Sequence, residues 1–317
     1  MVTIASGGDD RNSNRPPLFS IIIGLVSTED KRRVLQTLEA LRQQDGQATY
    51  EVVIADRRSD DVSREISTNF PEVRLIAQPP ETDLPQLRTA ALAATRGEFI
   101  VVTEDHCVPT HGWLAAIAEA FAGAPPSAVA VGGCVENGVA DTALDWATFL
   151  CEYSFFLPPV AEGSSTVLPG MNVAYRRRAF EKIDNSVLTR GFWETTLHPV
   201  LLAAGHTFFS SNRIRLLHSK KFSLGLFLRQ RYLYSQYFAG IRFARREYLR
   251  RAAACLASVL LPPLLLLRMA RQARTKHDGI KHFMAALPYL CLFVVVWAVG
   301  EMRGYALGAG SALAEIE

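Results

Sequence analysis

Several features that would classify a chain of 317 residues at once are missing here. The five cysteines, Cys107, Cys134, Cys151, Cys255 and Cys291, are odd in number and show no CxxC spacing. That excludes a disulfide framework or zinc site and points to reduced, cytosolic thiols. Charge of one sign is not in excess: 34 Lys and Arg against 31 Asp and Glu leave +3, so this is no polycation built to coat nucleic acid. No GxGxxG follows the first apolar run and no GxxxxGK is followed by Ser or Thr, which argues against a dinucleotide fingerprint and a P-loop. No period repeats, so a solenoid is excluded. The opening MVTIASGGDDRNSNRPP has no apolar core. Residues 1–17 therefore read as a disordered tail, not a signal peptide, and the chain from residue 18 is expected to begin in the cytosol.

What is present is an alternation. Residues 19–26, 50–55, 73–77 and 98–103 are apolar runs of strand length, the first two of the kind buried on both faces. Between them, residues 30–44 and 87–95 carry helical spacing, and 113–121 come after the fourth run. Four such alternations predict an α/β fold, a mostly parallel sheet with helices on both faces, whose ligands bind at the carboxyl ends of the strands. Beyond residue 125 the pattern is irregular, with strands expected at 129–135, 166–175 and 212–218 and helices from 180 and over 194–205.

The C-terminal third changes character. Residues 222–251 interleave Phe, Leu and Tyr with Arg, as amphipathic helices in a membrane interface do. Residues 283–300 form a transmembrane candidate. Residues 252–267 are shorter, contain Pro262-Pro263 and have Arg on both flanks, which the positive-inside rule wants on one side. We expect that stretch to be re-entrant or interfacial, with only 283–300 crossing; the alternative is two crossings. The expected organisation is a tail (1–17), a catalytic domain (18–220), interface helices (221–251) and membrane segments with a short tail (252–317).

Two strand ends carry the chemistry. Asp56, in IADRRSDD, can bond a nucleobase or ribose hydroxyl, or cap a helix. Glu104-Asp105-His106 offers two carboxylates and an imidazole, a set suited to Mn²⁺ or Mg²⁺ on a diphosphate, or a plain solvated turn.

In order, the chain shows FSIIIGLVS, EVVIADRRSDD, QLRTAALAATRGEFIVVTEDHCVPTHGWL, LPGMNVAYRRRAF, GFWETTLHPVLLAAGH and IRLLH. Over residues 18–240 this resembles the blocks of family 2 inverting glycosyltransferases of the GT-A fold. The resemblance implies transfer of a sugar from a nucleotide-diphosphate-sugar to an acceptor. Asp56, Asp61 and Arg88 then fall on donor-nucleotide positions, together with Glu104 and Asp105. Glu104 to His106 take the place of the D-x-D motif, with Asp105, His106 and the late His218 as metal ligands; the imidazoles favour Mn²⁺ over Mg²⁺. Asn172 falls in a loop near donor and acceptor. Gln230 and Arg231, in RQRYLY, loosely match the Q-x-x-R-W element of processive synthases. Glu194 falls on the family's E-D pair and is the implied catalytic base.

The sequence departs from the pattern at GLVS after the first strand, at Arg57-Arg58 and at Thr195, where the second acid of the pair should be. The base is then Glu194 itself or comes from elsewhere. Membrane attachment implies membrane lipid as a partner, a lipid-linked or polysaccharide acceptor, and a bacterial inner membrane with the catalytic domain cytoplasmic. Two rivals are a nucleotidylyltransferase, disfavoured by the missing Gly-rich loop, and a membrane-tethered inactive scaffold subunit.

Overall fold

Seven consecutive residues without an exposed side chain make β1 (Phe19–Leu25) a strand that can only lie inside a sheet. The computed structural model describes residues 15–44, 48–181, 183–184, 187–188 and 191–316. The expected tail falls largely on residues 1–14, outside the described residues. After β1 come α1 (Arg33–Arg42), β2 (Tyr50–Asp56), α2 (Asp61–Asn69), β3 (Arg74–Ala77), α3 (Leu84–Ala93) and β4 (Phe99–Val102). Asp60 caps α2 and Asp83 caps α3, each accepting backbone N–H groups of the first turn. The four strands lie parallel in the order β3-β2-β1-β4, as the alternation predicts.

The chain continues through β5 (Cys107–Pro109), α4 (Trp113–Gly123), β6 (Ala128–Asn137), α5 (Ala143–Tyr153), β7 (Gly163–Ser165), β8 (Val173–Arg176), α6 (Arg178–Glu181), α7 (Glu194–Ala203) and β9 (Thr207–His218). These strands extend the same sheet as β8-β6-β9-β5, with β7 on β9. β8 is antiparallel to both β4 and β6, and β5 is antiparallel to β9. The apolar residues of β1, β2, β4, α3 and α7 close a core over the sheet, with Leu87, Ile100, Tyr175, Phe192 and Phe208 among its buried members.

The protein divides into two compact units. The first holds the sheet: the described residues up to Gly138, and Phe156–Lys220. The second comprises Val139–Phe155 and the chain from Lys221 onward. The expected boundary near residue 220 is therefore one of three crossings, and α5 belongs with the C-terminal helices.

In the second unit, α8 (Leu224–Arg242), α9 (Tyr248–Ala257) and α10 (Leu261–Arg274) surround α11 (Gly279–Leu307). α8, within the stretch expected at the interface, lies along α11 and buries Gln230, Arg231, Ser235 and Gln236. Gly300 and Gly304 make this possible, because a Cβ at either would meet the α8 backbone at Tyr232 or Gln236. The re-entrant hairpin expected over 252–267 is not formed. The chain stays helical from Tyr248 to Arg274, through a 3₁₀ turn at Ser258–Leu260. Pro262 and Pro263 stand in the first turn of α10, where a missing N–H removes no helical bond. Tyr248–Arg274 and Gly279–Leu307 are both long and apolar enough to cross a membrane.

Candidate active site

β1 and β4 are parallel neighbours, so their C-terminal ends lie side by side. Asp105 ties those ends together. Its carboxylate accepts the backbone N–H of Val26 (3.0 Å) and Ser27 (2.9 Å) and the Ser27 hydroxyl (2.7 Å). Its remaining contact is His106 Nδ1, at 2.8 Å. With Nδ1 so engaged, His106 turns Nε2 toward Glu104 (3.3 Å) and His218 Nε2 (3.1 Å). His218 arrives from the far end of the chain by register, since it pairs with Cys107, the residue after His106, across the β5–β9 ladder.

The site gathers one carboxylate and two imidazoles. Glu104, His106 and His218 each offer one ligand atom, all within 4.8 Å of one another. Asp105, expected as a ligand, places its oxygens on Val26, Ser27 and His106 Nδ1. The donor set suits a divalent cation. Burial and the neighbouring His106 push the His218 pKa well below the usual value, leaving a neutral imidazole with a lone pair. Burial opposes the Glu104 charge, but His106 and Arg88 hold its pKa down to about 2. Burial likewise opposes the Asp105 charge, and the His106 contact outweighs it, so Asp105 is also lowered.

Arg88, buried on α3, links this cluster to the implied base. One guanidinium nitrogen is 2.9 Å from Glu104 and the other 3.0 Å from Glu194. Glu194 opens α7 and also accepts from Trp193 Nε1 at 2.9 Å. Burial raises the Glu194 pKa despite the opposing Arg88 charge. The Pro169-Gly170 turn presses against it: a Cβ at Gly170 would lie within 2.6 Å of Glu194 Oε1. Thr195 is exposed, so Glu194 is the acid this helix start offers to the cluster.

The other expected residues are placed differently. Asp56, at the end of β2, is buried and accepts from the backbone N–H of Arg58 (2.8 Å) and Ser59 (3.2 Å), shaping the turn. Asp61 is exposed and pairs with Lys31 at 2.6 Å, while its neighbour Asp60 is the cap. Asn172 is a core strut: its Oδ1 accepts from Trp113 Nε1 (2.8 Å), and its Nδ2 donates to Cys134 O (2.7 Å) and Ile214 O (3.1 Å). Gln230 and Arg231 lie in the second unit, where Arg231 pairs with Glu152 at 2.6 Å. Sequence reading missed Ser27, Trp193, Gly170 and the buried Lys220, whose charge helps keep Asp105 ionised. Of these, Ser27 left a trace, in the departure at the end of the first block.

A mostly parallel α/β sheet carrying a carboxylate–imidazole cluster at its strand ends is the architecture of a class of group-transfer enzymes. The pattern of Glycosyl transferase family 2 matches residues 20–184, a little over half of the chain. The protein belongs to that family and is a glycosyltransferase. Among solved structures it is similar to the mannosyltransferase PcManGT from Pyrobaculum calidifontis in complex with GDP-Man and Mn²⁺. That similarity has a TM-score of 0.53 and 16% identity, covering 91% of this chain and 88% of the other. No curated protein matches.

Proposed function

We propose that the protein transfers a sugar, with inversion, from a nucleoside-diphosphate sugar to a hydroxyl or phosphate acceptor presented at a membrane. The observation that carries this reading is the Arg88 bridge, which joins Glu194 to the Glu104–His106–His218 cluster. In the reaction Glu194 takes the acceptor proton, the acceptor oxygen bonds to the anomeric carbon, and the carbon–oxygen bond to the diphosphate breaks. A cation held by Glu104, His106 and His218 would supply charge stabilisation for the departing diphosphate. Asp105 keeps His106 in the required tautomer, and Arg88 fixes the base. An acceptor that is already an anionic phosphate needs no proton removal, and Glu194 then matters less.

Two observations support the membrane part. α9, the 3₁₀ turn and α10 leave Leu249, Leu256, Leu260, Leu264 and Leu267 exposed at roughly helical spacing. Arg245, Arg246, Arg250 and Arg251 flank one end of that helical stretch, and Arg268, Arg271 and Arg274 the other. A helix lying in the interface satisfies both, while α11 crosses. Labelling of a cysteine placed at 275–278 from the cytosolic side only is the expected result; labelling from the opposite side overturns this topology.

The neighbour's complex with GDP-Man and Mn²⁺ makes that pair the first donor and cation to test. The assay is donor hydrolysis and thermal shift across nucleotide-sugars with Mn²⁺, on the parent, His106→Ala and Glu194→Gln. We expect a Mn²⁺-dependent shift in the parent that His106→Ala removes, and hydrolysis that both variants lower. A parent that binds no nucleotide-sugar would favour a membrane-tethered scaffold.

A further inference from the structure

The second unit contains a cavity of about 210 Å³ that sugar transfer does not use. Its floor is Arg231, 8% exposed and set over the rings of Phe227, Tyr234 and Trp297 at 4.9 to 5.4 Å. One of its nitrogens bonds Glu152 at 2.6 Å, but its buried Nε has no hydrogen-bond partner among the described residues. Leaving such a donor without an acceptor is costly, so a ligand oxygen is the natural completion. At the rim stand Gln272 and Arg268, the latter exposed and with no carboxylate partner among the described residues. Two guanidiniums against one carboxylate leave the cavity with a net positive charge.

The remaining walls are apolar. Leu265 and Met269 come from α10, and Phe293 and Val294 from α11, the two helical stretches apolar enough for a bilayer. Leu264 and Leu267, close in sequence to the lining residues, are exposed and continue the apolar track outward. A headgroup held at one end of an apolar track is the geometry of an amphiphile, not of a free anion. Guanidiniums bind phosphate oxygens through paired, charge-assisted bonds, and basic pockets between membrane helices hold lipid headgroups.

We propose that this cavity binds the phosphate headgroup of an anionic membrane lipid. Arg231 Nε and Arg268 hold the phosphate, and the lipid chain lies along the leucines of α10. The inference rests on the membrane part of the proposed function but not on sugar transfer, which the donor assay reads separately.

The test is native mass spectrometry of the full chain released from neutral-detergent micelles. The micelles contain equal amounts of phosphatidylglycerol and phosphatidylcholine with the same acyl chains. We expect one phosphatidylglycerol retained over phosphatidylcholine by about tenfold. Arg268→Ala, at an exposed position, and the charge-conserving Arg231→Lys should each bring retention toward the phosphatidylcholine level. Arg271→Ala, on the same helix but off the cavity, should leave it unchanged. Equal retention of the two lipids overturns the proposal, as does a loss in Arg271→Ala matching that in Arg268→Ala. Displacement of the lipid by an equal concentration of inorganic phosphate would show a free-anion site and overturn it too. Loss of transfer activity with retention intact would count against the catalytic reading alone.

Discussion

Arg88 serves two carboxylates that would otherwise repel across the site, and its charge sets how basic Glu194 is. Burial raises the Glu194 pKa and Arg88 opposes that rise. Glu194 is therefore protonated to a higher pH than an ordinary glutamate, and if it is the base, kcat/KM should climb with pH through that raised value. Arg88→Met removes the opposing charge, so the acid limb should move to still higher pH in the pH–rate profile. Glu194→Gln should abolish the limb and lower kcat by roughly 10²–10⁴-fold if the acceptor is a hydroxyl. If Asp105 acts on the cation through His106, Asp105→Asn should weaken Mn²⁺ binding by about 10–100-fold, measured by calorimetry. Unchanged affinity would return Asp105 to the ordinary role of a strand-end crosslink.

At the scale of elements, turns and registers do what individual residues cannot. The Pro169-Gly170 turn approaches Glu194 so closely that any side chain at 170 must displace the carboxylate. Gly170→Ala should lower kcat far more than it lowers Tm; equal loss of both would make the turn a folding element only. The first four strands, α1 and α3 were legible in the sequence because each is a local periodicity, seen in residues 19–26 and 50–55, whereas the short α2 was not. The strand order of the second half was not legible either, because β8 is set between β4 and β6 by antiparallel pairing, across 71 to 77 residues to β4, as with Val101 and Ala174, and 41 to 45 to β6. The blocks made His106 and His218 legible as partners. Periodicity could not have done so, since a ladder between Cys107 and His218 brings them together. That Glu104 faces His218 while Asp105 faces Val26 and Ser27 was illegible because adjacent carboxylates differ only in which way the backbone turns them. Pro262-Pro263 misled for a related reason: the pair breaks a helix interior but suits a first turn, and sequence does not say which turn it occupies.

For the whole molecule, the division into units is discontinuous, and this bears on how it can be cut. α5 packs on α11, with Trp146 stacked on His282 at 3.5 Å. A chain ending at Lys220 would keep α5 and lose its partner, leaving Phe149 and Leu150 without cover. We expect the 1–220 fragment to aggregate on gel filtration even with detergent present; a monodisperse fragment would show that α5 is dispensable. The same threading fixes an order of events during synthesis. α5 ends at Tyr153 and α11 begins at Gly279, so translation must make about 125 further residues before the partner helix starts. At about 5–20 residues per second that delay is roughly 6–25 s. For that interval the ribosome holds a catalytic sheet whose own sequence contains one piece of an unfinished helical bundle. The apolar face of α5 must wait, and a chaperone or the membrane itself is the available shelter.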